Sequence, residues 1–325
     1  MRFCTLWFTL MLRRQGPETA EDSMQLDVQK LDQPVGAIIG GWDPAESLGE
    51  QQRAEIRDLL RAHLVLVFRG NRQPEDRELI DFAQNFGDLL IGSEWFQDSG
   101  DHPEILPINN LVDDEGVPQG TAGSEALGWH ADYSYVPTVG KESFLNAIEL
   151  PEASPRTYFC SQYRALDTLP KEMIKKLRTL RAYHSITDFV SDAEDGTRGY
   201  GRRTMKQTQS DFLKKREHNR ELGIERPRIP TAEHPVIMRH PESGREILYI
   251  SPFISKYIVG MPRDESDELL TKLCEHSTKP ENVYAHTWQT GDMVMFDTLG
   301  CLHRRDSWDP SQRRVMRQLS TKFAS

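Results

Sequence analysis

The sequence predicts a mainly β fold, a barrel or a sandwich, with flanking helices. Short apolar runs of strand length dominate after about residue 105, whereas helical spacing of apolar residues is clearest in the first third of the chain. The strands are far apart along the chain, and no internal repeat is present. Strands separated in this way, with helices before and between them, are typical of a closed or two-layered sheet.

The N-terminal elements alternate between strands and helices. A strand is predicted at 35–39, and a helix at 50–62, where Ile56, Leu59 and Leu60 recur at helical spacing. A buried strand and a second helix follow, at 64–68 and from Pro74 to Gly87.

The rest of the chain consists mostly of predicted strands. These lie at 144–150, 157–160, 236–238, 247–250, 283–287, 293–296 and 315–322, with helices at 171–181 and 265–275. The polar segment at about 191–230 is rich in Arg and Lys and contains Arg198. It is either a solvated insertion with one helix or a lid whose cations face an anionic ligand.

Composition limits the partners and the compartment. A length of 325 residues is near the upper size of one hydrophobic core, and the net charge of −10 disfavours binding to nucleic acid or anionic membranes. No segment is apolar enough to span a bilayer, and four cysteines without a CxxC pair favour a reducing, cytoplasmic location. We expect residues 1–23 to be a mobile leader or a wrongly assigned start, and residues 24–325 to form a single domain.

One local motif carries candidate metal ligands. His130 and Asp132 are two residues apart, so on an extended strand both side chains point to the same side and can reach one ion. Two other triplets of this kind begin at His102 and His240, but each has a proline in its middle, which suits a turn better than a paired strand. We therefore favour the triplet of His130.

The C-terminal part supplies a third ligand and a cation. A turn at Asp292 leads into an apolar strand, then come His303 and, before the last strand, Arg314. Two His and one Asp form a facial triad that leaves three positions open on non-haem Fe(II), although zinc hydrolases also use three protein ligands. Arg314 favours the iron interpretation, because a guanidinium beside the metal can pair with the far end of a dicarboxylate co-substrate.

With these residues the chain resembles the taurine dioxygenase family, which includes the 2,4-dichlorophenoxyacetate enzymes. The resemblance covers about residues 24–323 and rests on Trp129-His130-x-Asp132, Thr157, Trp288-x-x-Gly291-Asp292, Asp297, His303 and Arg314. His303 precedes Arg314 by eleven residues, and His130 precedes Thr157 by twenty-seven, as the family pattern has it. The resemblance implies a double-stranded β-helix, or jelly roll.

The resemblance also implies the cofactors and the reaction. His130, Asp132 and His303 are expected to bind Fe(II), and Thr157 and Arg314 to bind the distal carboxylate of 2-oxoglutarate. With O₂, such an enzyme releases succinate and CO₂ while it hydroxylates or desaturates an unactivated C–H bond of its substrate. Because this chain keeps Asp132, we expect oxygenation or desaturation rather than halogenation.

The expected substrate is a small, anionic metabolite such as an amino acid or another carboxylate. Candidate pocket residues are Tyr133, Tyr135, Asn110, Gln318 and Arg198. Gln318 stands where the taurine enzyme has an arginine that grips the sulfonate, so taurine itself is an unsuitable substrate. On the last strand we expect Arg314, Met316 and Gln318 to face the core and Arg317 to face outward.

Alternative functions remain open. Short stretches around His130, Thr157 and 239–250 also look like the isonitrile-forming subgroup of the family. A non-catalytic jelly-roll binding protein is a second alternative. A metal-dependent hydrolase ranks last, since it has no use for Arg314. The sequence leaves the oligomeric state open, including a homo-oligomer.

Overall fold

Two main β-sheets face each other, with helices on the outer face of the larger one, and two further sheets have three and two strands. The computed structural model describes residues 26–96, 100–186 and 206–323. The expected leader at 1–23 and the part of the insertion that contains Arg198 lie outside these residues.

Seventeen strands are present in the described residues. They are β1 (Asp27–Lys30), β2 (Ala37–Gly40), β3 (Val65–Phe68), β4 (Asp88–Leu89), β5 (Leu106–Asn109), β6 (Leu127–His130), β7 (Gly140–Glu149), β8 (Thr157–Ser161), β9 (Arg181–His184), β10 (Ala232–Pro235), β11 (Ile237–Arg239), β12 (Glu246–Leu248), β13 (Ser255–Ile258), β14 (Val283–His286), β15 (Met293–Asp297), β16 (Cys301–Arg305) and β17 (Val315–Lys322).

The helices in the same ranges are fewer than the strands. They are α1 (Glu50–His63), α2 (Asp76–Gln84), α3 (Ser93–Phe96), α4 (Gln162–Asp167), α5 (Lys171–Leu177), α6 (Lys206–Glu221) and α7 (Arg263–Ser277), with a 3₁₀ turn at Pro280–Asn282. None of the helices in the described part of the chain has the length and hydropathy that a membrane span requires.

The larger sheet has the strand order β1-β2-β3-β15-β7-β17-β4, and β5 also pairs with β17. Of these pairings, β2 with β3 is parallel and the others are antiparallel. Strand β15 is buried along its whole length. Its continuous apolar run follows from this position, because helices cover one face of the sheet and the second sheet covers the other.

The smaller sheet, in the order β14-β8-β16-β6, packs against the inner face of the larger one. Phe159 of β8 and Phe296 of β15 meet across the two sheets with ring centroids 5.2 Å apart. This arrangement confirms the predicted mainly β fold with flanking helices, and it agrees with the jelly roll that the resemblance implied.

Helices α1 and α2 cover the outer face of the larger sheet. Ile56 and Leu60 of α1 and Leu79 of α2 belong to one buried cluster with Phe68 and Phe144 of the sheet. Leu64 ends α1 in the left-handed region, with φ of 63°, and donates its N–H to the carbonyl of Leu60. The predicted strand at 64–68 therefore begins one residue later than the apolar run.

The predicted strands and helices lie close to observed ones, but strands β1, β4, β5, β9, β10, β13 and β16 and helices α3 and α4 were not predicted. The helix predicted at 171–181 ends at Leu177, and Arg181–His184 forms β9 in a small sheet with β10 and β13. This strand was missed because its four residues include only one aliphatic side chain, Ala182.

Candidate active site

Three potential metal ligands converge between the strands of the smaller sheet. His130 ends β6 and lies directly opposite His303 of β16, while Asp132 is in the turn after β6. Oδ1 of Asp132 lies 3.4 Å from Nε2 of His130 and 3.7 Å from Nε2 of His303. Within the described ranges this is the only group of three such side chains that could hold a metal, and neither His102 nor His240 belongs to one.

Hydrogen bonds orient the ligand atoms towards a common point. Nδ1 of His130 lies 2.7 Å from the carbonyl of Gly128. A carbonyl only accepts, so Nδ1 carries the hydrogen and Nε2 keeps its lone pair in the neutral ring. Oδ2 of Asp132 accepts from Ser143 Oγ at 2.9 Å and from Gln318 Nε2 at 2.8 Å. Oδ1 is thereby left to face the two imidazoles.

The charge state of the group suits a cation. Burial alone raises the pKa of the Asp132 carboxyl, but the charge interactions with His303 and His130 and the hydrogen bond from Ser143 lower it to about 2. Burial and the neighbouring His130 lower the pKa of His303 to about 3. At neutral pH the site therefore presents an ionised carboxylate and a neutral His303 imidazole, the forms that bind metal ions.

The turn after β6 also aims two tyrosines at the site. Tyr133 adopts a left-handed backbone, with φ of 55°. Tyr133 and Tyr135, two of the candidate pocket residues, are buried and line the cavity beside the ligands. The Tyr133 phenol packs against Gly92, where a Cβ atom would meet the hydroxyl oxygen, so a larger residue at this place would require the phenol to move.

A cavity of about 350 Å³ opens beside the three ligands, and Arg314 lies in its wall. Arg314 is only 2% exposed, and within the described residues its guanidinium makes no hydrogen bond or ion pair. Its backbone N–H donates to Oδ1 of Asn110 at 3.0 Å, and its guanidinium lies 5.3 Å from the ring centre of Trp308. Burial, with a smaller contribution from Arg305, holds the pKa of Arg314 well below its usual range.

Thr157 lies in the same cavity wall and has a defined hydrogen-bond partner. Its Oγ1 accepts from Nε1 of Trp288 at 2.9 Å. The Thr157 hydroxyl hydrogen is thus left for another acceptor. Trp288 itself is buried, with its ring perpendicular to that of His286 at a centroid distance of 4.5 Å.

The sequence reasoning missed a second buried arginine in this wall. Arg305 is 5% exposed, and its Nη2 donates to the carbonyls of Ala122, Gly123 and Glu125. Burial lowers the pKa of Arg305 to about 10, although Glu125 opposes this shift. Arg305 is two residues after His303 on one strand, so strand alternation could have placed both side chains on the same face.

The other predicted pocket residues differ in whether they line the cavity and in what they hydrogen-bond. Asn110 lines the cavity, but its amide is engaged with backbone, because its Nδ2 donates to the carbonyls of Pro310 and Gln312. Gln318 lines the cavity and hydrogen-bonds the carboxylate of Asp132. Arg198 lies outside the described residues. The helical part of the insertion, α6, contributes Phe212 to the lining, while its role as a lid stays a prediction.

The last strand follows the predicted alternation, with one difference in exposure. Arg314, Met316 and Gln318 face the cavity, whereas Arg317 is on the opposite face. Arg317 was expected to face outward. It is nevertheless buried, because the start of α2 covers that face and Asp76 pairs with its guanidinium.

Comparison with known proteins agrees with this geometry. The sequence profile of the taurine catabolism dioxygenase TauD, TfdA family matches residues 27–319. Pentalenolactone F synthase of Streptomyces avermitilis is 32% identical over 312 residues, which cover 93% of this chain and 95% of that protein. The alpha-ketoglutarate-dependent 2,4-dichlorophenoxyacetate dioxygenase of a Burkholderia species is 32% identical over 296 residues, with 87% and 91% covered.

Solved structures support the same fold. A taurine dioxygenase from Burkholderia xenovorans superposes with a TM-score of 0.70 at 22% identity, covering 92% of this chain and 90% of that one. AAD-2, crystallised with Mn(II) and N-oxalylglycine, superposes with a TM-score of 0.68 at 24% identity, covering 93% and 99%. The chain therefore belongs to the TauD, TfdA family of dioxygenases, oxidoreductases that use Fe(II), 2-oxoglutarate and O₂.

Proposed function

We propose that this chain oxidises an unactivated C–H bond of a small, mainly apolar carboxylate, by hydroxylation or desaturation, with release of succinate and CO₂. His130, Asp132 and His303 hold the Fe(II), and Thr157 and Arg314 hold the distal carboxylate of 2-oxoglutarate. The observation that carries this proposal is the unpaired guanidinium of Arg314, buried in the same cavity wall as the three ligands.

The donor set fits a ferrous ion. Two imidazole nitrogens and one carboxylate oxygen form the 2-His-1-carboxylate set that non-haem Fe(II) oxygenases use. Hydrogen bonds fix two of the three ligands: the Gly128 carbonyl orients His130, while Ser143 and Gln318 orient Asp132. Such supporting hydrogen bonds hold a site in place before the ion arrives.

The opposite wall fits a carboxylate. A buried guanidinium without a counter-ion is costly, and a charge-assisted pair with a carboxylate offsets that cost. Thr157 can add a donor, because its oxygen already accepts from Trp288 and its hydrogen is left over. The wall therefore provides a cation and a hydroxyl donor for one end of a diacid.

The bound iron and 2-oxoglutarate supply the oxidant, and the protein supplies placement and a dry environment. Phe212, Phe253 and Leu145 line the cavity with apolar surface that keeps water from the reacting carbon. Gln318 and Ser143 keep the carboxylate of Asp132 from rotating away.

The lining suits a substrate with an apolar body. Gln318 carries no charge, and its amide is engaged with Asp132, so this residue cannot grip an anion as an arginine would. Lys215 of α6 is a cation in the lining besides the two arginines. Relatives named for 2,4-dichlorophenoxyacetate and (S)-phenoxypropionate act on acids that combine an apolar ring with one carboxylate. We therefore favour such acids over polar amino acids.

An anaerobic titration tests the proposal. Fe(II) and 2-oxoglutarate together should give a metal-to-ligand charge-transfer band, and O₂ should then yield succinate. Arg314→Met should weaken 2-oxoglutarate binding at least tenfold, on the scale of a lost charge-assisted bond. Arg313→Met is the matched control, because Arg313 is exposed and pairs with Glu149 on the outside.

The same experiment separates the alternatives. No band and no succinate with the wild-type protein would remove the oxygenase proposal in favour of a non-catalytic binding protein. Product analysis on candidate carboxylates would separate hydroxylation, desaturation and isonitrile formation, because each changes the substrate mass differently.

A further inference from the structure

The far wall of the cavity contains two buried guanidiniums, whereas one would serve a single carboxylate. We propose that Arg305 is a second binding residue for the distal carboxylate of the co-substrate, and that together with Arg314 and Thr157 it makes the enzyme selective for a dicarboxylic 2-oxo acid. This inference rests on the proposed function.

Strand register places Arg305 at that end of the cavity. On β16, His303 and Arg305 are two residues apart, so both side chains project from the same face. Arg305 is directly opposite Thr157 of the neighbouring strand β8. Side chains of directly paired residues are within contact distance, so Arg305 lies beside the hydroxyl that is proposed to bind the carboxylate.

The two arginines share one aromatic neighbour. The guanidinium carbon of Arg305 lies 4.6 Å from the ring centre of Trp308, and that of Arg314 lies 5.3 Å from it. Within the described residues no carboxylate pairs with either guanidinium. The nearby Glu125 carboxylate accepts instead from the backbone N–H of Thr208 in α6, at 2.9 Å.

Arg305 is also fixed in place with donors left over. Its Nη2 is used by three loop carbonyls, those of Ala122, Gly123 and Glu125. Its Nε and Nη1 make no hydrogen bond to any described residue. A side chain held in this way loses little freedom when an anion binds, which strengthens the interaction.

Both side chains are positively charged at neutral pH, because arginine keeps its proton in proteins although burial lowers its pKa here. Two like charges in one buried wall repel each other, and an anion between them relieves that repulsion. A carboxylate has two oxygens and can accept from both guanidiniums and from the Thr157 hydroxyl. A 2-oxo acid without a second carboxylate would leave both guanidiniums without this anion between them.

The test compares 2-oxoglutarate with 2-oxopentanoate, the monoacid with the same number of carbons. Anaerobic titration of the Fe(II)-loaded protein gives a dissociation constant for each acid from the charge-transfer band. Arg305→Met should weaken 2-oxoglutarate about tenfold or more and change 2-oxopentanoate less than about threefold. Arg304→Met is the matched control, since Arg304 lies on the other face of the strand over Tyr158.

Each outcome has a defined meaning. A selective loss of 2-oxoglutarate binding supports the proposal. An equal loss of affinity for both acids would mean that Arg305 acts only through the 122–125 loop. Unchanged dissociation constants for both acids would mean that Arg305 does not bind the distal carboxylate. Either result overturns the proposal. If the wild-type protein shows no band with 2-oxoglutarate, the proposed function itself fails. Arg305→Lys, which keeps the charge but loses the planar donor set, gives the same comparison if the Met variant does not fold.

Discussion

The hydrogen bond from Trp288 to Thr157 can be tested by removing its donor. Trp288→Phe keeps an aromatic ring beside His286 but loses the indole N–H, which lies 2.9 Å from Oγ1 of Thr157. The hydroxyl then has no fixed partner and can turn its hydrogen away from the cavity. We expect 2-oxoglutarate to bind about fivefold more weakly, on the order of 1 kcal/mol, the typical net value of one such hydrogen bond.

A double-mutant cycle separates this effect from simple loss of packing. Thr157→Val has nearly the same shape but no hydroxyl, so in that background Trp288→Phe should change the 2-oxoglutarate dissociation constant less than about twofold. The constants come from anaerobic titration of the charge-transfer band. A fivefold effect that persists in the Val background would refute the reasoning, because the indole would then act without its Thr157 partner.

Three further outcomes are expected. His303→Ala should abolish the charge-transfer band, whereas Gln318→Ala should leave it in place with weaker Fe(II) binding, as titration of each variant will show. Arg317→Met should lower the free energy of unfolding by about 3 kcal/mol in denaturant titrations, because it removes the guanidinium hydrogen bonds to Asn146 and to the carbonyl of Pro74, and the ion pair with Asp76. Burial raises the pKa of Glu142 from 4.5 to about 7, so the folded protein holds this proton more tightly than the unfolded chain does. Relative to Glu142→Gln, the wild-type free energy of unfolding should therefore be highest below pH 4.5 and fall as the pH rises to about 7; a constant difference between these pH values would contradict the assignment.

The local parts of the site were predictable from the sequence. His130 and Asp132 are two residues apart, and the alternation of Arg314, Met316 and Gln318 follows from the period of a strand. These predictions needed only local geometry. The meeting of His130 with His303 did not follow from local geometry. It was expected because His303 completes a facial triad, and because the family resemblance implies the same ligand set.

The missed parts depend on contacts between distant strands. Ser143 reaches Asp132 because β7 passes beside the turn after β6, and no pattern within either segment reveals that pairing. Arg317 has the predicted direction, yet its burial depends on where the start of α2 lies. Strand alternation alone places Arg305 on the same face as His303. Its position opposite Thr157 could not be predicted, because it depends on which strands pair and in which register.

The location of His130 on β6 has a consequence for the protein without metal. Strand β6 has four residues and is at the edge of its sheet, paired on one side with β16. An ion bound by both His130 and His303 would cross-link this edge strand to its neighbour β16. Removal of the ion with a chelator should therefore loosen β6 and the following turn first, and amide hydrogens there should exchange faster than those of the central strand β15.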